Sequence, residues 1–171
     1  MSFPVDPGPA SCLASRTGIR LAYSADLPAL QALAEDSANA GHWSRDCWER
    51  MFSSDAPPRL VLIAQPCGCQ SVAGFIVTIC SGPDWEIENV VVANSARRHG
   101  IATRLVAEVL DRARAAGAER IFLEVRESNC AARELYEKLG FVAAGRRPAY
   151  YSEPVEDAVV YRFGLSAAQV C

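Results

Sequence analysis

The sequence predicts one α/β (α+β) domain: a mixed, mostly antiparallel sheet of about six to seven strands with helices on both faces. Three observations carry this. The 171 residues give room for one real core. Apolar stretches of strand and helix length follow one another in the order βααβββαβαββ. Short Gly- and Pro-containing turns make antiparallel neighbours, whereas a strand, a crossover helix and a further strand make a parallel pair.

The elements follow in order. Residues 1–17, rich in Pro, Ser and Gly, read as a flexible tail before a single domain over 18–171. Ile19–Tyr23 reads as a strand. Ser24 is placed to cap a helix reaching about Ser37, with Leu27, Leu30, Leu33 and Ala34 on one face. Ser44 is placed to cap a shorter helix whose apolar side is Cys47, Trp48, Met51 and Phe52, and Pro57-Pro58 closes it. Three strands follow, Leu60–Gln65, Val72–Cys80 and Trp85–Ala93, separated by the turns Pro66–Ser71 and Ser81–Asp84. A helix from Gly100 to Ala116 carries Ile101, Leu105, Val109 and Ala113 at i, i+4 spacing and ends at Gly117. Ile121–Val125 is a short strand. Asn129 caps a helix over Cys130–Leu139, Gly140 ends it, and Phe141–Arg147 and Ala158–Gly164 close the sheet.

Composition narrows the function classes. The net charge of −3 has no like-charged block behind it, which argues against a broad nucleic-acid or anionic-membrane surface. No apolar run is long enough to span a membrane, and Asp6 and three early prolines do not read as a signal peptide; a cytoplasmic protein, monomeric or weakly dimeric, is expected. Seven cysteines spread along the chain read as small packing residues, and Cys67-Gly-Cys69 lacks a partner pair at zinc-ribbon spacing, so no metal is expected.

The segment Val90-Val91-Val92-Ala93-Asn94-Ser95-Ala96-Arg97-Arg98-His99-Gly100-Ile101-Ala102-Thr103 puts a strand, a basic glycine-containing loop and a helix start in succession. Free N–H groups at a helix N-terminus and the helix dipole make an anion site. Gly100 and Ala102 let a phosphate approach the backbone, and Arg97, Arg98 and His99 add donors. A solvated basic turn before an ordinary helix is the plainer alternative. The nucleotide-binding P-loop ending is absent.

Arg97-x-x-Gly100-x-Ala102 resembles the acetyl-CoA pyrophosphate loop of the GNAT superfamily of N-acetyltransferases. The runs Leu123-Glu124-Val125-Arg126-Glu127-Ser128-Asn129, Ala131-Ala132 and Leu135-Tyr136-Glu137-Lys138-Leu139-Gly140-Phe141 are similar to the ribosomal-protein alanine N-acetyltransferase (RimI-type) subfamily. So are Arg146-Arg147, Tyr150-Tyr151, Glu156-Asp157-Ala158 and Trp43-Ser44, and the resemblance spans roughly residues 18–165. His42 stands where that subfamily often has proline, and the segment between Tyr151 and Glu156 is short.

The resemblance implies the GNAT fold, acetyl-CoA as cosubstrate, and an acceptor amine at a protein or peptide N-terminus, that of a ribosomal protein. Acetyl transfer needs a base for the amine, a donor for the oxyanion and an acid for the departing thiolate. By resemblance Glu124 is the base, directly or through water, and Tyr136 the acid. Val90, Val91 and Val92 offer backbone groups to pantetheine on a strand that splays from its neighbour, and Arg97–Thr103 holds the pyrophosphate, with Ile101 in that turn. Asn129, a helix cap on local grounds, also touches the cofactor. Tyr150, Tyr151, Glu156 and Asp157 line the acceptor groove. On position alone, Glu124 also reads as a solvated sheet carboxylate, Tyr136 as a core tyrosine, and the last four as a strand-end loop. Partial burial beside a cleft would raise the Glu124 pKa and make it a better base. Two other readings remain: acetylation of a lysine side chain or small amine, and a CoA-binding regulatory module without turnover.

Overall fold

The computed structural model describes residues 17–37 and 43–165. The described elements are β1 (Thr17–Leu21), α1 (Leu27–Glu35), α2 (Arg45–Glu49), β2 (Arg59–Pro66), β3 (Gly74–Ser81), β4 (Asp84–Val92), α3 (Ile101–Ala115), β5 (Arg120–Arg126), α4 (Cys130–Lys138), β6 (Val142–Ser152) and β7 (Val155–Gly164). This is the expected order. Seven strands form one sheet in the order β1-β2-β3-β4-β5-β7-β6, and the β4–β5 pair is parallel while the others run antiparallel.

Each helix on the first face is set by its own ends. Ile101, Leu105, Val106, Val109, Leu110 and Ala113 are the buried stripe of α3. Its end is closed by Gly117 at φ 76°, where Ala118 N–H donates to Ala113 O at 3.0 Å. α4 repeats the device: Asn129 Oδ1 accepts from Ala132 N–H at 3.2 Å at its start, and Phe141 N–H donates to Tyr136 O at 3.0 Å beyond Gly140. These two helices bury Leu62, Ile76, Trp85, Ile87, Ile121, Leu123 and Tyr161 beneath them.

The second face is covered over only part of its width. Leu30 of α1, Trp48 of α2 and Met51 pack on Val61, Ile63, Phe75, Val77 and Val91, all from β2, β3 and β4. No residue of β5, β6 or β7 joins that cluster, and Val142 to Tyr150 of β6 are exposed. Gly74 lets β3 meet β4 closely: a Cβ there would stand 2.8 Å from Val91 O.

Several sequence expectations need correction. Thr17 is not tail but the buried first residue of β1, its carbonyl accepting from Arg104 at 2.6 Å. Residues 1–16, and His42, lie outside the described residues. Ser24 does not cap α1; it enters a short 3₁₀ turn, and the Asp26 carboxylate accepts the Tyr23 N–H at 2.8 Å while pairing with Arg20. Ser44 does cap α2, accepting from Cys47 N–H, yet of that helix's expected apolar side only Trp48 and Met51 are buried, because α2 lasts five residues and turns Cys47 and Phe52 outward. The β3 strand begins at Gly74, not Val72. Of the five described cysteines only Cys80 packs against the core, partly buried; Cys47, Cys67, Cys69 and Cys130 are exposed and are not packing residues. β6 and β7 run well past their expected limits, to a turn at Glu153-Pro154. Their exposed faces have no apolar alternation to read. Pro148, which lacks an N–H, falls in the register break between Arg147 and Tyr151.

Candidate active site in the splay between β4 and β5

Parallel pairing of β4 with β5 begins at Asp84↔Arg120 and stops at Ile87↔Leu123. The bulge in β4 between its Thr78↔Ile87 and Val77↔Asn89 pairs inserts one extra residue and increases local twist. Beyond it the two strands part, and the edge of β4 toward β5 has no ladder partner. A cleft of about 640 Å³ fills the gap. One end is walled by Asn129, Ala132 and Tyr136 of the α4 segment, the other by Trp43, Tyr150 and Tyr151. The opening therefore reaches from the α3–α4 face of the sheet to the opposite face.

Glu124 lies in the cleft wall on β5 with its side chain 9% exposed, and Arg147 Nη2 pairs with it at 3.0 Å. Glu86 of β4 pairs with Phe122 in register, so it shares a sheet side with Glu124 two residues on. Desolvation at the wall raises the Glu86 carboxyl above its ordinary value, and the negative charges of Glu124 and Glu88 add to the rise; its side chain still reaches solvent. Glu88 is held by Arg59 through two hydrogen bonds of 2.7 and 3.1 Å.

Tyr136 is 7% exposed, set edge-on against Phe141 with ring centroids 5.7 Å apart. Burial pushes its phenol well above the ordinary tyrosine range, and Tyr151 contributes further, so the hydroxyl keeps its proton at neutral pH. Tyr151 itself is pushed up to about 12, chiefly by burial and then by Tyr150. Arg126 stacks over the Tyr151 ring at 4.1 Å and Arg147 over Tyr150 at 5.4 Å.

The structure thus brings Glu124, Tyr136, Val90, Asn129, Tyr150 and Tyr151 to one cleft. Glu156 and Asp157 are not in its lining. Both are strand residues with local work: Glu156 accepts from Ser128 N–H at 2.5 Å and pairs with Arg126, which together hold its carboxyl below the usual range. Asp157 accepts from Ala149 N–H at 2.9 Å. Val91 is buried in the second core cluster, so only backbone groups are on offer there.

Arg97, Arg98, His99, Gly100, Ile101, Ala102 and Thr103 lie past the C-terminal end of β4, outside the cleft lining. Gly100 is left-handed at φ 73°, and its carbonyl takes the first helical bond, from Arg104 N–H at 3.0 Å. The N–H groups of Ile101, Ala102 and Thr103 have no partner within the helix. The Ile101 side chain is in the core at 2% exposed, so it contributes its amide alone. Arg97 Nε donates to Val92 O at 3.3 Å, and a His99 ring nitrogen contacts Arg97 O at 2.7 Å, bracing the loop.

Sequence reasoning missed Trp43, Glu86, Asn89 and Arg147 as wall or partner residues. The alternation of Trp85-Glu86-Ile87-Glu88 marks Glu86 as facing away from Trp85. It does not say that β5 lies beside it. Among the described residues no cluster of three or more His, Cys, Asp or Glu can hold a metal, and no helix there is long and apolar enough to cross a membrane.

The model of the acetyltransferase (GNAT) family matches residues 27–141. The [ribosomal protein bS18]-alanine N-acetyltransferase of Escherichia coli K12 is 33% identical over 143 residues, covering 82% of this chain and 93% of that protein. The protein of the same name from Salmonella typhimurium is 30% identical over 150 residues, 86% of this chain and 97% of its own length. The crystal structure of the E. coli ribosomal-protein-S18-alanine N-acetyltransferase superposes with a TM-score of 0.78 at 28% identity, covering 88% of this chain and 94% of that one. A seven-stranded sheet that splays at its parallel pair, with a family match across most of its length, makes this chain a member of the GNAT family of acetyltransferases, which take their acetyl group from acetyl-CoA.

Proposed function

We propose that the protein acetylates an N-terminal alanine α-amine of a ribosomal protein by direct transfer from acetyl-CoA; its E. coli and Salmonella relatives are named as [ribosomal protein bS18]-alanine N-acetyltransferases. The observation that carries this reading is the two-ended cleft, with Glu124 on the β5 wall and Tyr136 on the α4 wall. A thioester entering from one face and an amine from the other meet between a carboxylate and a phenol.

In this reading the pyrophosphate rests on the free amides of Ile101, Ala102 and Thr103, with Arg98 and Arg97 beside them. Pantetheine lies along the unpaired edge of β4 near Val90, Val91 and Val92, next to Asn129. Glu124, paired with Arg147, takes a proton from the ammonium. The amine attacks the thioester carbonyl, the N–C bond forms, the C–S bond breaks as Tyr136 gives its proton to the departing thiolate, and the second proton shed by the nitrogen returns to the Tyr136 oxygen through water. An α-amine with a pKa of about 8 asks less of the base than a lysine of about 10.4. Tyr150 and Tyr151 flank the acceptor.

The test is release of CoA thiol from acetyl-CoA in the presence of alanine-initiated ribosomal-protein peptides, with mass spectrometry of the product's N-terminus. Acetylated α-amine and stoichiometric thiol are the expected result. Tight acetyl-CoA binding with no thiol release for any amine would make the protein a CoA-binding module instead. Acetyl on lysine alone would move the acceptor to side chains.

A further inference from the structure

Asn89 sits in β4 immediately past the bulge, opposite Val77 of β3. It is 6% exposed, and its amide nitrogen Nδ2 has no hydrogen-bond partner among the described residues. It also lines the cleft, between Glu88 and Val90. A buried amide nitrogen left unmatched opposes folding, and folded proteins seldom keep one without a use. The other such atom among the described residues, Thr78 Oγ1, belongs to a fully buried residue outside the cleft lining.

The side of the sheet that Asn89 faces is decided by its neighbours. Val91, two residues on, packs with Phe75 and Trp48 on the α1–α2 side, while Val90 packs with the α3–α4 cluster. Strand alternation puts Asn89 with Val91. By the same alternation Glu124 faces this side too, since Ile121, Leu123 and Val125 belong to the opposite cluster. Asn89 and Glu124 therefore stand on the two diverging strands, on the same side, at the level where pairing has just ended.

An amine proton bound for Glu124 places the amine nitrogen at this wall. If that nitrogen is an α-amine, a carbonyl oxygen follows three bonds away, at the first peptide bond. A lysine side chain offers only methylenes there. Resting on the acceptor reading above, we infer that Asn89 donates its Nδ2–H to the carbonyl oxygen of the acceptor's first residue and so selects α-amines over side-chain amines. A site built to hydrogen-bond one group rejects the analogue that lacks it, because its own polar atom is then left unmatched.

The experiment is a cycle between protein and substrate. Wild type and Asn89→Leu are assayed with an alanine-initiated peptide and with its (E)-alkene isostere, which lacks that first carbonyl oxygen and the N–H of the same peptide bond; coupling to Nδ2, a donor, reports the oxygen. Wild type is expected to lose about tenfold or more in kcat/KM on the isostere, the worth of one buried hydrogen bond. Asn89→Leu is expected to lose a similar factor on the peptide, to be indifferent to the isostere, and to keep the acetyl-CoA KM of wild type. Its thermal midpoint should equal or exceed that of wild type, since the unmatched nitrogen is gone; Asn89→Ala serves should the leucine not fit. Multiplying losses with no coupling, or a raised acetyl-CoA KM, overturns the inference while leaving α-amine acetylation intact. Absence of transfer from wild type to either peptide overturns the acceptor reading, and this inference with it.

Discussion

The two ends of the β4–β5 seam are made from similar residues and do opposite things. At the closed end, Trp85, Ile87, Ile121 and Leu123 are buried and four residue pairs hold the parallel ladder. Asp84 pairs with Arg120 at 2.7 Å, and Pro83 O accepts from the N–H groups of both Glu119 and Arg120. At the open end, past the bulge, the same two strands carry Asn89, Val90, Glu124 and Val125 and no longer pair. Backbone groups that would be spent on a ladder are left for a ligand. The lesson is that a polar residue in a strand takes its meaning from whether its neighbour strand is still alongside.

Perturbations of the open end should dominate. Glu124→Gln is expected to cut kcat about 100-fold or more with acetyl-CoA affinity kept, as loss of a general base does; steady-state kinetics across pH would show it, and wild-type kinetics would remove Glu124 from the role. Tyr136→Phe is expected to cost about tenfold to hundredfold in kcat and little in acetyl-CoA KM. Gly100→Val, at the start of α3, forces a β-branched residue into φ 73°, a strain of about 1–3 kcal/mol; it should raise the acetyl-CoA KM more than it lowers kcat.

Away from the open end the effects turn to stability. Gly74→Ala, whose Cβ would meet the Val91 carbonyl oxygen at 2.8 Å, is expected to lose about 1–3 kcal/mol in denaturant titration. The smallest effect concerns Glu86. Its raised carboxyl binds more protons folded than unfolded over the window from the ordinary carboxylate value upward. Stability from this group is therefore complete below that window and declines as pH rises through it. Glu86→Gln should be slightly more stable than wild type at neutral pH and show no such gain under acid conditions, read from thermal midpoints at several pH values.

Much of this seam was legible beforehand. The order of elements, the caps Ser44 and Asn129, the stops at Gly117 and Gly140, and the basic loop at the head of α3 each follow from local chemistry within a few residues. Glu124 and Tyr136 stood out through family resemblance. The wall residues Glu86 and Asn89 did not, and Trp43 and Arg147, though part of the resemblance, carried no role in the site, because each becomes part of the cleft through a partner far away in sequence. The ends of β6 and β7 escaped for a related reason: strand ends with no fully buried residue are held by backbone pairing, which leaves no pattern in side-chain type.

By itself, then, the sequence determined which segments are helix or strand, where α3 presents its free amides, and which chemistry is at hand, since propensity, capping and periodicity act between near neighbours. Only the tertiary structure decided where β4 and β5 stop pairing, which side chains face the gap, and that Glu156 and Asp157 brace strands instead of lining it. Those outcomes depend on twist, bulge position and the packing of two helix layers, quantities summed over the whole sheet.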